Sequence, residues 1–329
     1  MIPHSQKIDL NYLARQFCMA LSLFGLLCLA GCSPPPEVPL RVGTLPWPGY
    51  ESLHLAQSLS YFDPAHIRLT DMANSSQILQ GIRNGTLDAS FSTLDEALGL
   101  IQDGVDLRVL MVMDISNGAD VVMARPGIAN LRGKRVGVEN TAVGAMMLDA
   151  ALHASGVNAK DIQLVAATVD EHLNFYKSGN VDALVTFEPV RSEMLKQGAH
   201  ILFDSSQIPG RILDVMLVRT DMLATHDQAL KELVRAHFRA LDYQARQPQD
   251  AAKRIAPYLG VAEAEMAAQY EGIKIPTLAE NHSLLSGNQP KLMATAADLA
   301  DLMLRHKLLA HAVSTKNLAE PKFLPAIGQ

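Results

Sequence analysis

Residues 178–191 read SGNVDALVTFEPVR, and their order of apolar and polar positions lays out one unit of the chain. A helix carrying Phe175 and Tyr176 ends at Gly179-Asn180, residues suited to a left-handed cap. The run 181–187 is short, apolar and β-branched, which predicts a buried strand. Glu188 then precedes Pro189, and proline suits the first turn of a helix. Glu188 is thereby placed at the carboxyl end of a strand, the rim where open α/β sheets bind ligands.

The phrase occurs twice. Residues 84–93 read NGTLDASFST, against SGNVDALVTF at 178–187. A second echo sets TLDEAL at 93–98 beside TVDEHL at 168–173, each a Thr-x-x-Glu capping box opening a helix. The repetition predicts two similar α/β lobes. Strands are expected at 40–45, 66–70, 87–92, 107–113, 135–138, 162–167 and 201–203. Helices are expected at 54–59 and 74–83, after Thr93, to Ala154 after 140–144, and after Thr168. That alternation predicts parallel βαβ units. DVVMAR at 120–125 and DVMLVR at 214–219 match each other and read as paired crossovers out of lobe one and back. Lobe one is then 40–122 with 218–329, and lobe two is 123–217. Beyond 219 the pattern is helical. Leu230, Leu233, Val234, Phe238 and Leu241 make one apolar stripe, and 262–271 and 292–309 are expected to form two more core-facing helices, packed on lobe one.

The start of the chain follows a different rule. Lys7 and Arg15 precede an apolar run at 17–30, shorter than a bilayer span and suited to the core of a secretory signal. Leu29-Ala30-Gly31-Cys32 resembles a bacterial lipobox, so 1–31 reads as a signal peptide and Cys32 as the lipidated residue, a carrier of palmitate. Ser33 resembles the residue of lipoproteins sorted to the outer membrane. The proline-rich 32–39 is a stiff tether, and the expected location is the periplasm, at a membrane surface. Cys18, Cys28 and Cys32 are the three cysteines, so the rest of the chain has no thiol for a disulfide or for zinc. With 48% hydrophobic and 19% charged residues the chain is not disordered. A net charge of −6 without a basic run excludes nucleic acid as a partner.

No catalytic constellation is present. There is no Gly-x-Ser-x-Gly and no His-Glu-x-x-His. GIANLRGK at 127–134 has the wrong glycine spacing for a phosphate loop, and Arg135 stands where Ser or Thr is needed. Asp170-Glu171-His172 falls in a helix's first turn, where acids complement the dipole rather than hold a metal. The expectation is a protein that is not an enzyme, with no cofactor and no metal. Trp47 is the one tryptophan, held between Pro46 and Pro48 in what reads as a stiff, exposed turn with Tyr50 close behind.

The phrases RVGTLPWPGYE, IRNGTLDASFSTLDEAL, DISNGADVVMARPG, KRVGVE, VDALVTFEPVRS and FDSSQIPG together resemble substrate-binding proteins of ABC importers, of the nitrate/sulfonate/taurine type. That group also includes binders of pyrimidine vitamin precursors. The resemblance spans residue 40 to about Arg219 and implies a type II periplasmic-binding-protein clamp. Each lobe of such a clamp is a mostly parallel sheet flanked by helices, with a two-strand hinge. It implies a monomer that captures a small solute between its lobes and delivers it to an ABC permease. The alternative is a sensory receptor whose closed form docks on a signalling membrane protein.

Ligand contacts are expected at loops following strands: Trp47, Tyr50, Ser92, Thr93, Asp114 and Asn117 from lobe one, and Thr141, Val143, Gly144, Glu188 and Asp214 with lobe two. Helix starts at 74–77 and 140–144 carry no first-turn acid and suit a sulfonate, a nitrate-like anion or a carboxylate. The acids after Thr93 and Thr168, with Asp114 and Glu188, and the lack of an arginine in these loops, oppose an anion. They favour an aromatic or amine-bearing compound stacked on Trp47 and Tyr50, with Glu188 accepting its N–H.

Overall fold

The computed structural model describes residues 38–327. The signal peptide, Cys32 and all of the tether before Val38 lie outside the described residues. Among the described residues, eleven strands form two sheets. The six-stranded sheet runs β11-β4-β10-β3-β1-β2, from β1 (Leu40–Thr44), β2 (Ile67–Asp71), β3 (Ala89–Thr93), β4 (Leu107–Ser116), β10 (Leu213–Arg219) and β11 (Ile273–Lys274). The five-stranded sheet runs β7-β6-β8-β5-β9, from β5 (Val121–Ala124), β6 (Arg135–Val138), β7 (Gln163–Ala166), β8 (Ala183–Thr186) and β9 (His200–Asp204). Their orders correspond. β1 pairs parallel with β2 and β3, and β6 pairs parallel with β7 and β8. β10 and β5 are the antiparallel members beside β3 and β8.

The repeat has a physical basis at one pair of positions. The N–H and Nε of Arg41 in β1 reach Asp88 Oδ2 at 2.9 and 2.8 Å, just before β3. Arg135 in β6 reaches Asp182 Oδ2 at 2.9 and 3.1 Å, just before β8. So the Asp of NGTLD and of GNVD ties the start of one strand to its neighbour in each lobe. The capping-box echo is different. Thr93 ends β3, whereas Thr168 follows β7, the counterpart of β2. It reflects helix-start chemistry common to any α/β unit rather than equivalent sites.

The two matched segments are β5 and β10. The chain leaves the six-stranded sheet after Ser116 and returns at Leu213, so the divisions at 122/123 and 217/218 fall inside strands. The crossing is tightly bound. Ser205 Oγ lies 2.7 Å from Ser116 Oγ and accepts the Gly118 N–H at 2.6 Å. The Asn117 N–H donates to Gly272 O at 2.7 Å. A Cβ on Gly272, whose φ is +79°, would stand 2.6 Å from the Gly118 carbonyl carbon, so backbones approach here as only glycine permits.

Helices cover the sheets. They are α1 (Ser52–Ser58), α2 (Ser75–Asn84), α3 (Leu94–Gln102), α4 (Ala142–Ser155), α5 (Val169–Lys177) and α6 (Val190–Lys196). The C-terminal set is α7 (Asp227–Arg246), α8 (Pro248–Leu259), α9 (Leu278–Leu285) and α10 (Lys291–Arg305), with short turns between them. The α7 stripe buries Leu230, Leu233 and Val234 against α1. Asn281 of α9 is fully buried and closes a side-chain ladder on β4, accepting the Val112 N–H at 2.7 Å and donating to Val112 O at 3.1 Å. The C-terminal helices therefore pack on the six-stranded lobe, as expected. The helix expected at 262–271 is a 3-10 turn, Glu263–Glu265, and one α-turn, Met266–Gln269. The chain then reverses at Gly272 to pair β11 with β4. α8 and α9 escape the sequence pattern; α8 carries Pro248 in its first turn and Pro257 inside it.

Candidate functional site

A cavity of 30 Å³ lies where the carboxyl ends of the two sheets face each other. The six-stranded lobe contributes Trp47 and Tyr50 from the turn after β1, Thr93 and Glu96 from the start of α3, and Asp214 from β10. The other side contributes Val143 from the first turn of α4 and Phe187 after β8, with Asp120 at the crossing. Larger concavities exist, such as one of 1030 Å³ between α7 and the 275–278 loop. That one is an open, mostly apolar groove on one lobe, away from the strand ends.

Trp47 is buried at 4% exposure, not exposed as its flanking prolines imply. Its indole packs edge-on against Phe187 of the opposite lobe, ring centres 5.3 Å apart at 86°. Apposition of the lobes, invisible in local sequence, is what covers it. Trp47 Nε1 donates to Asp114 Oδ2 at 3.0 Å. Gly49 makes this possible, because a Cβ there would sit 1.8 Å from that oxygen. The Tyr50 hydroxyl donates to Asp214 Oδ1. Asp114 and Asp214 are register partners on adjacent antiparallel strands, so two carboxylates stand side by side.

Five acids cluster here: Asp95, Glu96, Asp114, Asp120 and Asp214, each at most 7% exposed. Both oxygens of Asp95, Oε1 of Glu96 and Oδ1 of Asp114 have no hydrogen-bond partner among the described residues. A buried acceptor without a partner costs about 1–3 kcal/mol. Burial raises every one of these carboxyls, to about 7 for Asp95, about 7 for Asp114 and about 6 for Asp120. Glu96 rises to about 8, by burial and then by the charge of Asp95. Asp214 is driven well above the carboxylate range by burial and then by Asp114.

Of the expected site residues, Trp47, Tyr50, Thr93, Val143 and Asp214 line this cavity. Asp114 stands one hydrogen bond behind Trp47. Ser92 precedes Thr93 in β3 with its hydroxyl 3.3 Å from that of Ser90. Thr141 and Gly144 form the α4 cap, Thr141 Oγ1 accepting the Gly144 N–H at 3.3 Å. Asn117 is exposed at the crossing. Glu188 is fully buried but engaged elsewhere. Its Oε1 accepts from Arg191 Nη1 and Ser192 Oγ, both at 2.9 Å, and its Oε2 accepts the Ser192 N–H at 3.0 Å. Sequence reasoning passed over Glu96 and Asp120. Glu96 was absorbed as the acid of a capping box, which it is: it accepts the Thr93 N–H at 3.1 Å through one oxygen only.

The anion reading of the α2 start meets an occupant. Glu139 Oε1, from the lobe opposite, accepts the Ser76 N–H at 3.0 Å and its hydroxyl at 2.8 Å. Asn74 Nδ2 donates across the same gap to Asp170 Oδ1 at 3.0 Å. Arg191 and Lys196 make further links to Glu271 at 3.3 Å and Glu265 at 2.5 Å.

Two sheets of matched order, joined by paired crossings and facing each other across a cavity at their strand ends, define the two-lobed periplasmic-binding-protein fold. Residues 33–260, more than half of the chain, match the NMT1-like family, and the chain belongs to it. Over 169 residues it is 23% identical to a protein of Brucella abortus (strain 2308) named as a binding protein, covering 49% of this chain and 53% of that one. The chain thus spans about half the length of the curated relatives it matches. In structure it is similar to the aliphatic sulphonate binding protein SsuA of Escherichia coli, with a TM-score of 0.67, 18% identity, and coverage of 87% of this chain and 98% of that one. The ligand binding component of an ABC-type import system from Staphylococcus aureus gives a TM-score of 0.71 at 13% identity, with coverage of 87% and 97%. The desulfurization enzyme DszB shares the fold too, with a TM-score of 0.61 at 18% identity, covering 87% and 97%.

Proposed function

We propose that this chain is the extracytoplasmic solute-binding component of an ABC importer, which captures a small organic solute between its lobes and delivers it to a permease. The observation that carries this reading is a cavity walled by both lobes, Trp47, Tyr50, Glu96 and Asp214 against Val143 and Phe187. A solute there touches both walls only when the lobes meet. Its differential affinity then shifts the population toward the closed form that a permease recognises. The relatives named as binding proteins support the reading, as do the sulfonate-binding and importer components of like fold. No cysteine lies among the described residues, so thiol chemistry has no carrier there, and in this reading the solute is released unaltered. A lipid on Cys32 holds the clamp at the membrane, and the paired crossings near Ser116 and Ser205 form the hinge.

Small-angle scattering tests this directly. Protein as purified is compared with protein stripped of bound solute by unfolding and refolding, and the solute is identified by mass spectrometry. Stripping is expected to enlarge the radius of gyration, and added solute to restore it. Superimposable curves, or a solute recovered chemically changed, refute the reading. Labelling with palmitate that persists in Cys32→Ser refutes the anchor.

A further inference from the structure

We infer that the interlobe cavity selects a small organic cation, an amine or amidine, and rejects sulfonates and other anions; this deepens the capture reading above and rests on it. Glu96, Asp120 and Asp214 line the cavity, and no Lys, Arg or His does. Asp95 and Asp114 stand directly behind and are fully buried. Glu96 is 4% exposed and lines this space, and its Oε1 has no hydrogen-bond partner among the described residues. A buried acceptor without a donor calls for one, and a ligand N–H supplies both a donor and the charge that five acids lack. Trp47, Tyr50 and Phe187 add aromatic walls, which attract a cation by their quadrupoles.

The places an anion would use are spoken for. The α2 amino terminus already holds the Glu139 carboxylate. The α4 amino terminus faces the cavity through Val143 but stands opposite the acidic wall. A metal ion is a poor alternative, because among the described residues no three His, Cys, Asp or Glu side chains are placed to hold one. The 30 Å³ cavity has room for about two waters, the size of a cationic head group, so a larger ligand requires the lobes to part.

Matched probes isolate charge from shape: methylammonium against methanesulfonate, and benzamidine against benzenesulfonate. Each is titrated into the stripped protein at pH 8 while melting temperature and Trp47 emission are followed. The cations are expected to raise the melting temperature and to bind at least about tenfold tighter than their anionic partners. Glu96→Gln and, independently, Asp120→Asn are expected to weaken benzamidine by about tenfold while keeping the wild-type emission of the free protein. A sulfonate that binds tighter than its amine or amidine partner overturns the cation assignment and leaves the capture reading standing. If no probe of either charge shifts the melt, the cavity is not a solute site and both readings fall.

Discussion

Gly49→Ala probes the geometry behind the indole. Gly49 does not have a positive φ, so the new methyl meets no backbone penalty and its cost is purely one of contact. Its Cβ would lie 1.8 Å from Asp114 Oδ2, 2.6 Å from Asp114 Cγ and 2.7 Å from Trp47 Nε1. Carbon and oxygen come no closer than about 3.3 Å, so the carboxylate must move by more than an ångström. That breaks its 3.0 Å bond from the indole. A hydrogen bond to a charged group contributes about 1.5–3 kcal/mol. Overpacking a full core adds about 1–3 kcal/mol. The smaller entropy of the unfolded chain returns about 0.4–1 kcal/mol. The net loss is about 3 kcal/mol, or roughly 5 °C in melting temperature for a domain of this size. Differential scanning calorimetry measures the loss, and the single tryptophan reports the lost bond by its emission. In an Asp114→Ala background only the 2.7 Å contact with Trp47 Nε1 remains, and the added cost of Gly49→Ala should be smaller than in the wild type. A Gly49→Ala protein that melts and emits like wild type refutes the argument.

The acidic cluster fixes a pH dependence. Asp95, Glu96, Asp114 and Asp120 have folded pKa values raised to between about 6 and about 8. The folded state therefore holds protons that the unfolded state has released. This stability is complete below the ordinary carboxyl range and is lost as pH rises through the folded values. His54, raised by its contacts with Glu51 and Asp71 against the opposing effect of burial, acts in the same direction. His172 and His237, lowered by burial to about 4 and about 3, oppose it only below the ordinary histidine value. The melting temperature should fall between about pH 6.5 and pH 8.5, less steeply in Glu96→Gln; a flat or rising profile contradicts the assigned burial. Glu188→Gln removes the charge paired with buried Arg191 and should cost about 3 kcal/mol, while leaving benzamidine affinity unchanged; weakened binding would return Glu188 to the site. Glu139→Gln removes the carboxylate from the α2 start and should enlarge the radius of gyration of the stripped protein, whereas an unchanged radius means that this contact does not hold the lobes together.

Local chemistry in the chain was enough to order the strands of both lobes, but it set the divisions between them inside β5 and β10. Apolar runs bounded by Gly, Asn and Thr place β1, β3, β6 and β8 to within two residues, because strand length and caps are set by neighbours a few positions away. The pair NGTLD and GNVD marks true equivalents, since each Asp ties an Arg of the adjacent strand. Trp47, Tyr50, Thr93, Val143 and Asp214, expected at strand ends by a rule of α/β sheets, line the cavity between the lobes. What the chain could not show by itself is which groups meet across the gap. Glu188 sits at a strand end like the others, yet Arg191 and Ser192 consume its oxygens. Glu96 looks like an ordinary cap, yet burial leaves one oxygen bare. Desolvation and pairing depend on groups far apart in sequence, brought together where the two lobes meet, so only the tertiary structure decided which acids face the cavity.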